Sequence, residues 1–190
     1  MYSDKLPEAF RLAHELHRDQ VRKGTGVPYI THLMAVAAAV GRYGGSEAQV
    51  VAALLHDAVE DQGGLPTLEA IRAGFGEQVA RYVDGCSDSY ETPKPPWLER
   101  KKAYIEKLPG EPPEVKLISA ADKLDNVRNI SADLREHGDA IWDRFNAGRD
   151  GTVWYYEKVF EVLRTTWNHP ILDELKRAVA DLSAAAGRRQ

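Results

Sequence analysis

The chain has 190 residues, of which 43% are hydrophobic and 28% charged, with a net charge of −4 and a single cysteine. That length fits one domain, residues 1–190, and gives enough buried surface to fold without a disulfide or structural metal; the lone Cys86 excludes an internal disulfide framework. The acidic balance argues against a nucleic-acid polymer as partner, the opening Met1–Glu8 has no signal-peptide character, and the longest apolar run, Leu33–Val40, is too short to span a bilayer. A cytoplasmic protein with no membrane partner is the expectation.

Hydrophobic spacing is helical almost throughout. Phe10, Ala13, His14, His17 and Val21 recur at three- and four-residue steps, which predicts a helix from about Asp4 to Arg22. Turn chemistry at Lys23–Pro28 breaks it. Thr31 is a candidate cap for a second helix to about Tyr43, stopped by Gly44 and Gly45. Ser46 with Gln49 is a capping-box signature for a third helix, ending near Glu60 or Asp61. Short helical segments follow near Thr67–Ala73 and Glu77–Asp84. The proline-rich stretch Ser87–Pro96 reads as a loop. Beyond it, helices are expected at Trp97–Leu108, from Pro113 to about Asn129, and at Asp139–Ala147, Thr152–Trp167 and Ile171–Ala186, with Gly187–Gln190 frayed. No segment alternates like a strand. The fold class is therefore all-α, a single multi-helix bundle with its core over about 4–167 and a C-terminal helix over 171–186.

Chemistry concentrates in Leu54-Leu55-His56-Asp57-Ala58-Val59-Glu60-Asp61, where four polar side chains end an otherwise apolar helix. On a continuous helix His56 and Glu60 stack, as do Asp57 and Asp61. Burying such a strip without partners is costly, and a cation would satisfy it. His32, at the start of its helix, and Asp122, inside the apolar run Ile118–Leu124, could complete a set of two imidazoles and two carboxylates. Mixed N/O ligation favours Mn²⁺ or Fe²⁺, with Zn²⁺ as an alternative. On spacing alone an equally good reading makes His32 a helix-start histidine and Asp122 a solvated residue. Two adjacent carboxylates at Glu60 and Asp61 can hold their proton affinities apart, one serving as base and the other as acid; they also form an acidic helix end that calls for a compensating cation.

Four blocks of sequence resemble a known family. Ala13–His17 followed by Gln20–Lys23 and Gly26–His32, the segment Leu54–Asp61, Val83–Ser87, and Ala121–Arg128 are similar to the HD-domain hydrolases of the RelA/SpoT type, in family order, and the length resembles their stand-alone small alarmone hydrolase group. The resemblance implies an HD-domain bundle and Mn²⁺-dependent removal of pyrophosphate from the 3′ position of guanosine tetra- or pentaphosphate. It implies metal ligation by His32, His56, Asp57 and Asp122, a catalytic acidic pair Glu60 and Asp61, and nucleotide contacts from Arg22, Lys23, Asn126 and Tyr155, with Tyr156 as the alternative to Tyr155. Leu33, Gln62 and Asp125 depart from residues common in the family, and none of these removes a ligand. His14 and His17 share the face of Phe10 and Val21 and read as supports for the cleft. The competing readings are an HD phosphohydrolase acting on NADPH or a deoxynucleotide, and a non-catalytic nucleotide-binding protein on the same scaffold.

Overall fold

A computed structural model describes residues 2–91 and 93–187. Ten α-helices follow one another: α1 (Lys5–Leu16), α2 (Ile30–Arg42), α3 (Glu47–Leu55), α4 (Ala58–Asp61), α5 (Gly64–Phe75), α6 (Glu77–Cys86), α7 (Trp97–Lys107), α8 (Pro113–His137), α9 (Gly148–Thr166) and α10 (Ile171–Gly187). Two 3₁₀ turns lie at Leu108–Gly110 and Gly138–Arg144. Among the described residues the only β pairing is an isolated antiparallel bridge between Val21 and Pro28, so the all-α class holds.

The spine is α3. Ser46 accepts from the Gln49 backbone N–H while the Gln49 side chain accepts from the Ser46 N–H, satisfying two amides at the helix start. Every residue from Gln49 to Leu55 is buried, as expected of a helix packed on several sides. Helices α1, α2, α6 and α8 surround it, and α10 packs along α8. Buried apolar side chains from all ten helices form one core cluster.

Several boundaries differ from the sequence expectations. The first helix stops at Leu16. Beyond it the Arg22 N–H donates to Val27 O at 2.8 Å and the Tyr29 N–H to Gln20 O at 2.9 Å, closing a hairpin-like loop around Gly24, whose φ is +73°. Val21 kept the helical period yet is 50% exposed; the turn, not the period, decides its place. His14 is exposed while His17 is buried, so the two do not share an environment. Thr31 lies inside α2 and donates to Pro28 O at 2.8 Å instead of capping. The expected third helix is interrupted at His56 and Asp57, where Asp57 sits at φ −96°, ψ −4°. The stacked strip of His56 with Glu60 and Asp57 with Asp61 is therefore not formed on one continuous helix. Helix α8 runs past Asn129 to His137 because Ile130 and Leu134 continue its buried face, and Gly138 at φ +63° ends it. The segment expected as a helix over Asp139–Ala147 is instead the second 3₁₀ turn. Thr92, in the proline-rich loop, and residues 188–190, expected to fray, lie outside the described residues.

Because α3 is wrapped on all sides, Leu55→Ala should lower unfolding free energy by about 2–5 kcal/mol, whereas Ser46→Ala should cost about 1 kcal/mol. Urea unfolding followed by circular dichroism measures both, and the order of the two losses is the expected result.

Candidate metal centre

Three parts of the chain deliver the centre. His32 arrives on the first turn of α2, His56 and Asp57 sit at the break between α3 and α4, and Asp122 comes from the buried middle of α8. The Nε2 of His32 lies 3.2 Å from Asp122 Oδ1 and 3.6 Å from Asp57 Oδ2. The Nε2 of His56 lies 3.1 Å from the same Asp57 oxygen and 3.8 Å from the same Asp122 oxygen. Donor atoms of His32, His56 and Asp57 all fall within 4.8 Å of one another. Ligands about 2.1 Å from a shared ion would be about 3.0–3.4 Å apart along the edges of its coordination polyhedron, close to these spacings.

Each imidazole is turned by a partner on its other nitrogen. His56 Nδ1 donates to Ala53 O at 2.7 Å, and His32 Nδ1 donates to Asp125 Oδ2 at 2.6 Å. Both Nε2 atoms are buried without a hydrogen-bond partner, and buried polar atoms are seldom left so. Two orphaned nitrogens facing two carboxylates are the donor set of a divalent-ion site, so the residues present fit such an ion. The carboxylates are held as firmly: Tyr29 OH donates to Asp57 Oδ2 at 2.6 Å, while Asp122 accepts from Lys123 Nζ and Asn126 Nδ2, each at 2.5 Å. Burial opposes ionisation of Asp57, but the His56 and His32 rings hold it below the usual carboxylate range; Asp122 is likewise held far down despite burial, first by Lys123 and then by the two histidines. Burial also disfavours charge on His32 and His56, yet the neighbouring carboxylates raise both above the ordinary imidazole value.

The acidic pair follows on α4. Lys94 from the proline-rich loop contacts Glu60 at 3.0 Å and Asp61 at 2.7 Å, Arg100 donates to Glu60 at 3.2 Å, and Gln20 donates to Asp61 at 2.9 Å. These cations are the compensation that an acidic helix end requires. Burial pushes the Glu60 carboxyl up from its ordinary value, with Lys101 opposing and Asp88 and Asp57 reinforcing the rise.

A cavity of about 210 Å³ opens over this group, and its wall takes in Lys23, Asp57, Glu60, Asp61, Asp122, Asn126 and Tyr155. Arg22 and His32 line an adjoining hollow of about 360 Å³, which shares Lys23, Tyr29, Asn126, Phe145 and Tyr156 with the first. Together they reach the usual size of small-molecule sites, about 300–1,000 Å³. His56 lies beneath and lines neither. Arg22, off any helix, donates to Asn126 Oδ1 at 3.1 Å, and Lys23 to Asn146 Oδ1 at 3.2 Å. Tyr155 is buried with its hydroxyl unpartnered, under Lys101 at 5.2 Å and Lys123 at 5.7 Å from its ring centre; Tyr156 lines the same cavity.

Some site residues escaped the sequence reading. Tyr29 lies three positions before His32 and stacks on buried His17 at 5.3 Å between ring centres. A tyrosine at that step, one turn from a candidate ligand, was the available signal. Lys94, Arg100, Lys101 and Asp88 carry no local signal, since only tertiary packing brings them to the pair. Asp125, seen in the sequence only as a family departure, holds the buried His32 ring.

Comparison with known proteins places this geometry. The chain matches the HD domain family over residues 9–153. It is 42% identical over 130 residues to the human guanosine-3′,5′-bis(diphosphate) 3′-pyrophosphohydrolase MESH1, covering 67% of this chain and 70% of that protein. It is 35% identical over 132 residues to the guanosine-3′,5′-bis(diphosphate) 3′-pyrophosphohydrolase of Aquifex aeolicus, covering 68% of this chain but 18% of that longer protein. The solved structure of a metazoan ortholog of SpoT that hydrolyzes ppGpp superposes with a TM-score of 0.77 at 30% identity, over 95% of this chain and 96% of that one. Listeria monocytogenes lmo0812 gives 0.70 at 36% identity, over 78% and 96%. The chain belongs to the HD domain family, on its SpoT-type branch.

Proposed function

We propose that this protein is a metal-dependent pyrophosphohydrolase that removes the 3′ diphosphate of guanosine 3′,5′-bis(diphosphate) and its pentaphosphate, releasing pyrophosphate and GDP or GTP. The observation that carries this reading is the pair of orphaned Nε2 atoms of His32 and His56 facing Asp57 and Asp122 beneath a nucleotide-sized hollow; the names borne by its relatives supply the substrate. Mn²⁺ is the proposed ion, with Fe²⁺ and Zn²⁺ as alternatives, and the two imidazoles with the two aspartates are its proposed ligands. We take the protein to act as one domain in the cytoplasm, without a membrane or nucleic-acid polymer as partner; no helix among the described residues is long and apolar enough to cross a membrane.

A divalent ion held there supplies Lewis acidity, easing deprotonation of water and offsetting phosphate charge. The remaining work falls to the chain. Glu60, its proton affinity lifted by burial, takes the proton of the attacking water as oxygen bonds to the phosphorus next to O3′. The P–O3′ bond breaks, O3′ takes up the proton that Glu60 accepted, and pyrophosphate departs. Asp61, tied to Lys94 and Gln20, orients the water. Arg22 and Lys23 meet the anionic nucleotide, Arg through a planar fork and Lys as a point charge. Asn126 links Arg22 to Asp122 and sets the nucleotide against the centre, while Tyr155 meets it from the cavity wall.

Incubating the purified protein and Mn²⁺ with guanosine tetraphosphate, NADPH or deoxynucleotides, and reading pyrophosphate against orthophosphate, tests the assignment; pyrophosphate from guanosine tetraphosphate alone is the expected result. Asp57→Ala should abolish both metal uptake, read by elemental analysis, and turnover. The double variant Glu60→Gln, Asp61→Asn should retain its metal while turnover falls about 10²-fold or more; loss of the metal instead would make the pair structural. For the metal-free protein, raised imidazole values at His32 and His56 contribute stability that is present below the ordinary imidazole pKa of about 6.5 and is lost as pH rises through the raised values. Its melting temperature should therefore fall with rising pH in that window. Mn²⁺ should reverse the fall, with affinity increasing with pH because binding displaces those protons.

A further inference from the structure

We infer that Asp125 is a positioning residue that fixes the His32 imidazole for the divalent ion, an inference that rests on the proposed ligation by His32. The His32 side chain is fully buried, and its Nδ1 lies 2.6 Å from Asp125 Oδ2. The Asp125 oxygen accepts, so Nδ1 keeps a ring proton and Nε2 is the nitrogen left for an ion. That nitrogen stands 3.2 Å from Asp122 Oδ1 and has no hydrogen-bond partner. A carboxylate behind a ligating imidazole selects the tautomer, fixes the ring angle and strengthens the nitrogen as a donor.

The two imidazoles of the centre are held by different means. His56 leans on Ala53 O, a neutral acceptor three residues back on its own helix. His32 has no such local partner and depends on α8, the helix that also supplies Asp122, three residues before Asp125 and therefore on the same face. Arg22 Nη1, 3.8 Å from Asp125 Oδ2, is the cation that faces this carboxylate. The geometry thus gives one face of α8 two tasks: a ligand at position 122 and the support of a ligand at position 125.

The test uses Mn²⁺ alone, titrated calorimetrically into the metal-free parent and its Asp125→Asn and Asp125→Leu variants, with thermal melting by circular dichroism as the measure of folding. Asp125→Leu should weaken Mn²⁺ binding 10- to 100-fold. Asp125→Asn keeps an acceptor but no charge and should give a smaller loss, with a melting temperature close to that of the metal-free parent. The visible spectrum of the Co²⁺-loaded variants should shift in band position, which a loss of packing elsewhere would not produce. Weakened binding in either folded variant supports the role. Affinity within about twofold of the parent in every variant that folds overturns it while leaving His32 as a ligand. A parent that takes up no Mn²⁺, Fe²⁺ or Zn²⁺ overturns the metal site itself, and the inference with it.

Discussion

Taking two carboxylates and two imidazoles out of water on three different elements is the constraint around which this molecule is arranged. An isolated buried charge of this kind costs several kcal/mol, so each group has a partner that approaches from a direction fixed by the fold. Tyr29 meets Asp57, Lys123 and Asn126 meet Asp122, and backbone or carboxylate oxygens meet the outer nitrogens of both histidines. What is left unpaired is one nitrogen on each ring, and both face the same small volume. Two of the buried polar atoms left without a partner among the described residues thus lie at the point where an ion would sit.

Around that point the charge is organised in layers. The chain as a whole is acidic, and so is the centre, yet the anionic substrate proposed for it must approach closely. Lys23, Lys101 and Lys123 line the cavity, with Arg22 in the adjoining hollow, and Lys94 with Arg100 covers the Glu60–Asp61 pair. A local cationic wall can outweigh a negative total, because field lines focus in a low-dielectric cleft. Here it also offsets the charge of the acidic pair.

Much of the helical order could be read directly from the residues, because it rests on short-range chemistry. The Ser46–Gln49 box announces α3, the double glycine ends α2, and the prolines at 95, 96 and 113 bound α7 and α8. The interruption at His56–Asp57 was not legible: propensity favours a continuous helix there, and the break is set by the His56 ring turning back to Ala53 together with the pull of Tyr29 on Asp57. The turn at Lys23–Pro28 was legible, but the earlier end of α1 at Leu16 was hidden by the helical spacing of Val21, a residue that proves exposed. In the site, the positions now proposed as ligands stood out because His and Asp are conspicuous in apolar helices. The supporting groups did not, since Lys94, Arg100 and Tyr29 become relevant only through contacts tens of residues away in sequence.

The contrast between the Ala53 carbonyl and the Asp125 carboxylate bears on how the molecule assembles. One imidazole is aimed by its own helix, so His56 and Asp57 acquire their relative placement as soon as that short stretch coils. The other is aimed only after two distant helices have docked. A chain caught midway would offer a cation half a grip, and the full grip would appear together with the last tertiary contact, making ion capture a readout of completed folding.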